Sequence, residues 1–196
     1  MNTTLWRTIA VLVVFTVVCS ARAHDLPMNA IMNAFVKVDS DHVDLVVRVP
    51  LDLLRGVPFP VRDSAYDVAS AGPASEVALL LLEDGFVILE NGVALKPSTA
   101  TARLSPQGER SFGTFESAVA LVQRPSDDSA PIVYDKGYFD VHYAYAIRSP
   151  KSLFQLQSHV AADLGSGAML TVRYLSANDT GRALIVRSGD EPEASD

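Results

Sequence analysis

The sequence holds a single cysteine, Cys19, and it falls in the N-terminal stretch that reads as an export signal. The bulky Val18 ahead of it does not suit a lipidation site. The chain after the signal then has no thiol, which excludes disulfides, cysteine metal sites and cysteine nucleophiles. Long apolar runs are scarce too. Ile9 to Val18, broken only by Thr16, is shorter than the roughly 20 residues a membrane helix needs. Past residue 23, Leu79–Leu82 is apolar but brief and is followed at once by Glu83 and Asp84. No Gly-x-Ser-x-Gly elbow, His-Glu-x-x-His pair or glycine-rich phosphate loop is present. There are only four histidines, His24, His42, His142 and His159. No nucleophile-and-base arrangement stands out, so the reading is of a non-enzymatic protein. Basic clusters are missing as well. The net charge of −7 becomes −9 once Arg7 and Arg22 leave with the signal (−7 − 2). That balance argues against nucleic acid or anionic lipid as a partner.

What is there begins with the signal. Arg7, the apolar run and Ala21-Arg22-Ala23 match the positive, apolar and small-x-small parts of a cleaved leader over residues 1–23. The expected location is therefore periplasmic or otherwise extracytoplasmic. Residues 24–188 suit one domain with a core of its own, and the acidic residues 189–196 are expected to form a disordered tail.

Within the domain, Gly137–Ile147 carries the clearest pattern. Phe139, Val141, Tyr143, Tyr145 and Ile147 are large and apolar, while Asp140, His142, Ala144 and Ala146 between them are polar or small. A period of two predicts a strand with one face in a core. Ala30–Val38 and Val43–Val49 predict a hairpin across Asp39-Ser40-Asp41, apolar on one side only. Ala74–Asp84 predicts a helix after Pro73, closed by Gly85. Asn91-Gly92 predicts a tight hairpin between Phe86–Glu90 and Val93–Lys96. Phe115, Ala118, Val119 and Val122 recur at helical spacing, and Pro125 ends that helix. Phe154–Val160 predicts a strand, and Met169–Leu175 with Arg182–Arg187 a last hairpin. About eight strands and two short helices predict a mainly β protein, an antiparallel β-sandwich.

Five residues are candidate metal ligands: His24, Asp140, His142, His42 and Asp44. Cleavage after Ala23 makes His24 the first residue, where its α-amine and imidazole chelate one ion together; such nitrogens suit copper or nickel. Met28 and Met32 follow closely. Asp140 and His142 share one face of their strand, as do His42 and Asp44 on theirs, since residues two apart point the same way. Each pair offers two ligands. Alternation alone also requires polar residues there, so a solvated face fits equally.

The order of motifs resembles the extracytoplasmic N-terminal region of HupE/UreJ-like membrane proteins. The resemblance lies in Ala23-His24, the helix before the Asn91-Gly92 hairpin, Ser111-Phe112 opening Phe115-Glu116-Ser117-Ala118, the run Gly137-Tyr138-Phe139-Asp140-Val141, and the late strand Leu170–Leu175. It implies an exported accessory domain of a membrane nickel or cobalt transport system. The partner would be a membrane transporter or the family's membrane helices, whose transport histidines and aspartates have no counterparts before Asp196. The alternative function is a stand-alone periplasmic metal-binding protein that uses His24 and takes nickel, cobalt or copper.

Overall fold

The computed structural model describes residues 31–125, 131–160, 168–176 and 182–187, the last six and Ser176 by backbone alone. The expected leader, His24 and the expected acidic tail lie outside the described residues. The first two strands, β1 (Ile31–Val38) and β2 (His42–Pro50), form the expected hairpin. Short strands β3 (Val61–Arg62) and β4 (Ala65–Tyr66) lead to helix α1 (Gly72–Gly85). Next come β5 (Phe86–Glu90), β6 (Val93–Ala94) and β7 (Thr99–Ser105), then helix α2 (Phe115–Gln123). The chain continues through β8 (Ile132–Val133), β9 (Tyr138–Ala146), β10 (Phe154–Ser158), β11 (Met169–Ser176) and β12 (Arg182–Arg187).

The fold is mainly β, as the periodicity predicts. One six-stranded sheet runs in the order β12-β11-β1-β2-β9-β7, and two three-stranded sheets, β10-β5-β6 and β3-β4-β8, accompany it. Pairing is antiparallel except between β1 and β11, which run parallel. The strand β7 was not foreseen from the sequence, and it pairs with β9 at the sheet edge. Among the described residues no helix is long and apolar enough to cross a membrane.

The inner face of the large sheet makes the main core. Phe139, Val141, Tyr143 and Tyr145 of β9 are buried there beside Leu45 and Val47 of β2, Ala78 and Leu82 of α1, and Phe86 and Ile88 of β5. Each such large side chain contributes roughly 1.5–3 kcal/mol by leaving water. Tyr143 is fully buried yet keeps its hydroxyl satisfied by donating to the Leu79 carbonyl of α1 at 2.6 Å. Burial drives the acidity of Tyr143 far below that of a free phenol.

Two local expectations are sharpened. At the β5–β6 turn, Asn91 and Gly92 take φ of 51° and 80°, the left-handed pair that a two-residue hairpin demands. Gly85 closes α1 for another reason than a left-handed cap, because its φ is not positive and the next residue, Phe86, is extended. A side chain at Gly85 would run into Val160, so the glycine permits close packing.

One expectation is corrected. The β1–β2 hairpin is not one-sided. Phe35 and Val46 face away from the main core and are buried under Phe112, Phe115, Ala118 and Val122. Helix α2 thus covers part of the outer face of the sheet. Its first turn is fixed by a capping box in which Thr114 accepts from the Ser117 backbone and Ser117 reaches back. Just past its other end Arg103 of β7 donates to the carbonyls of Arg124 and Pro125, which holds the chain where it leaves the helix.

Candidate metal centre

The outer face of β2 carries His42, Asp44, Val46 and Arg48, and that of β9 carries Asp140, His142, Ala144 and Ala146. The register sets Asp44 opposite Ala144, Val46 opposite His142 and Arg48 opposite Asp140. Ala144 is too small to cover Asp44. His142, two residues along, therefore reaches diagonally across the strands to Asp44, and its Nε2 lies 2.8 Å from Asp44 Oδ1.

The turn between β1 and β2 brings in the remaining members. Asp39 donates its N–H to the His42 carbonyl at 2.9 Å, which folds its carboxylate back over the strand start. His42 Nε2 then lies 3.2 Å from Asp44 Oδ2 and 3.7 Å from Asp39 Oδ2. Two ligands around one ion with bonds of about 2.1 Å sit roughly 3.4 Å apart in a tetrahedron, so these spacings match ligands that share a metal. Asp39, His42 and Asp44 each offer one donor atom, all within 4.8 Å of one another, and together they can hold a metal ion.

The surroundings favour a cation. His42 Nδ1 lies 2.7 Å from Asp41 Oδ1. With the neutral ring donating Nδ1–H to Asp41, the Nε2 lone pair faces two carboxylates. Either a proton or a metal ion relieves that repulsion. The proton leaves its mark: the hydrogen bond to Asp41, aided by the charges of Asp44, Asp41 and Asp39, raises the His42 pKa despite partial burial. The same contact lowers the pKa of Asp41. Asp41 thus orients His42 as a carboxylate orients a metal-bound imidazole, and His142 does the same for Asp44 through its other oxygen.

Of the residues expected as ligands, His42 and Asp44 come together with Asp39, and the other three fare differently. His24 lies outside the described residues. His142 joins the cluster as the hydrogen-bond partner of Asp44. Asp140 lies apart from the cluster and is paired with Arg48. Arg48 donates from Nε and Nη2 to the two Asp140 oxygens, each at 2.7 Å, and Asp140 is fully buried. The guanidinium also donates to the Glu109 carbonyl and lies between the rings of Phe112 and Tyr138, at 4.6 and 4.4 Å from their centroids. Asp140 is thus a buried carboxylate whose charge is already matched by a guanidinium.

Asp39 went unnoticed in the sequence because Asp39-Ser40-Asp41 explains itself as a turn. The spacing Asp39-x-x-His42-x-Asp44 is the signal that finds it. The chain matches no protein-family model, and no curated protein matches it.

Proposed function

We propose that this protein is a non-enzymatic, exported domain that binds a divalent transition-metal ion and passes it to a membrane transport system of the HupE/UreJ kind. The observation that supports the reading best is the convergence of His42 Nε2, Asp39 and Asp44 on one point at the sheet end. One imidazole and two carboxylates form a borderline-to-hard donor set, which suits Ni(II), Co(II) or Zn(II) better than Cu(I). The acidic balance of the chain favours cations in general. Among the family traits that the sequence resembles, nickel or cobalt handling is the one this donor set can serve. The site is partly open, with His42 and Asp39 side chains 40% and 33% exposed, as a delivery site needs to be.

Calorimetry with Ni(II), Co(II) and Zn(II) on the wild-type protein, His42→Ala and Asp44→Asn tests this. The wild type should bind one ion and both variants should lose it. Equal titrations for all three proteins would remove the metal centre, and with it the transport role.

A further inference from the structure

The metal centre contains a positive charge of its own. Lys37 of β1 is register-paired with Asp44 of β2. Its Nζ lies 3.5 Å from Asp39 Oδ2, the same oxygen that faces His42 Nε2. The ammonium also lies 4.8 Å from the centroid of the Phe115 ring at the start of α2. Phe115 is itself buried and packs edge-on against Phe35 at 6.4 Å. The lysine is therefore placed on two sides, by a carboxylate and by an aromatic face.

On the reading of Asp39, His42 and Asp44 as a metal centre, we infer that Lys37 is a resident counter-ion that competes with the metal and keeps the site exchangeable. A metal bonded to Asp39 Oδ2 at about 2.1 Å would lie no more than about 5.6 Å from Nζ as the lysine now stands. By Coulomb's law at the dielectric of water, a divalent ion and an ammonium at that separation repel by an amount equal to roughly a tenfold change in affinity. Entry of the ion pushes the ammonium back toward Phe115, where the ring face still attracts it. Departure of the ion lets Lys37 return to Asp39, so the carboxylates are never left uncompensated. A site built this way loads and unloads readily, which fits transfer and not storage.

The test titrates Ni(II), with Zn(II) as a second probe, into wild type, Lys37→Met, Lys37→Gln, Lys37→Arg and His42→Ala, each checked for folding by thermal melt. Methionine keeps an unbranched apolar stem against Phe115 and removes the charge. Glutamine removes the charge with a polar end, should the methionine variant misfold. Lys37→Met and Lys37→Gln should bind about tenfold tighter and release the ion more slowly, and the gap from wild type should narrow as salt screens it. Lys37→Arg should stay at wild-type affinity or below. Wild type that binds while the uncharged variants bind equally or more weakly would overturn the role of Lys37 and leave the metal centre standing. Uncharged variants and wild type that all match His42→Ala would overturn both.

Discussion

The outer face of the large sheet holds two acid–base pairs on the same two strands, and they behave in opposite ways. At one end Arg48 of β2 meets Asp140 of β9; at the other Asp44 of β2 meets His142 of β9. The first pair is shut in by the rings of Phe112 and Tyr138 and by the Glu109 carbonyl, and each charge is matched by the other. The second lies at the open end beside the β1–β2 turn, where Asp39 and Asp41 add two more carboxylates. Burial makes the first pair a pin that holds strands together. Asp44 is itself buried, but surplus negative charge and the partial exposure of the neighbouring His42 and Asp39 make the second a place for a cation. Residue type alone does not separate them; the aromatic rings closed over one of them do.

The largest expected effect breaks the shut end. Asp140→Ala or Arg48→Ala leaves one buried charge unpaired and should destabilise the domain by about 3–5 kcal/mol. Replacing both, as Arg48→Met with Asp140→Leu, should cost less than either single change. Denaturant unfolding of the three variants decides this, and single variants within 1 kcal/mol of wild type would mean the pair is solvated.

The open end should respond the other way round. Asp44→Asn keeps the shape of a buried side chain but weakens its charged hydrogen bond to His142, so it should cost about 1.5–3 kcal/mol, less than the loss of Asp140, while abolishing ion binding. His142→Ala should weaken binding by about 10–100-fold, the usual loss when the partner that orients a ligand is removed. Calorimetry beside thermal melts separates the two effects. An Asp44→Asn protein as unstable as Asp140→Ala would erase the contrast between the ends.

Smaller effects sharpen the contrast. Thr114→Ala removes the cap of α2 and should cost about 1 kcal/mol, seen as a lower melting temperature with Ni(II) binding retained. Acidity should tell the ends apart as well. The His42 pKa is raised in the folded protein. Protonated His42 therefore stabilises the fold fully below its ordinary pKa of about 6.5, and this contribution fades as pH rises through the raised value. Metal binding runs opposite, strengthening through that window as the proton leaves. His42→Ala should flatten both trends in melts recorded from about pH 5 to pH 8 with and without Ni(II).

Much of the fold was legible because periodicity records which face is buried. β9 shows this in Phe139–Ile147, and α2 in Phe115, Ala118 and Val122. The covered outer face left two clues, the apolar Phe35 between Asn33 and Lys37 and the apolar Val46 between Asp44 and Arg48. β7 escaped because Thr99-Ala100-Thr101-Ala102 alternates residues of nearly equal size, as suits an exposed edge. The candidate site was half legible. His42, Asp44 and His142 were visible as polar residues on strands, but their meeting depends on register, and Asp39 depends on turn geometry. Asp140 misled because the sequence does not show that Arg48 lies directly across from it.

The parallel ladder between β1 and β11 has a consequence for how the chain assembles. Ile31 lies beside Met169, so β1 waits for almost the whole domain to emerge before its second edge is covered. Contacts so distant along the chain close late and slow folding. A chain cut short of Met169 should present the β1 edge, with Met32, Ala34 and Val36 along it, as an open template for pairing with another copy. Loss of the last hairpin should thus show itself as aggregation during synthesis.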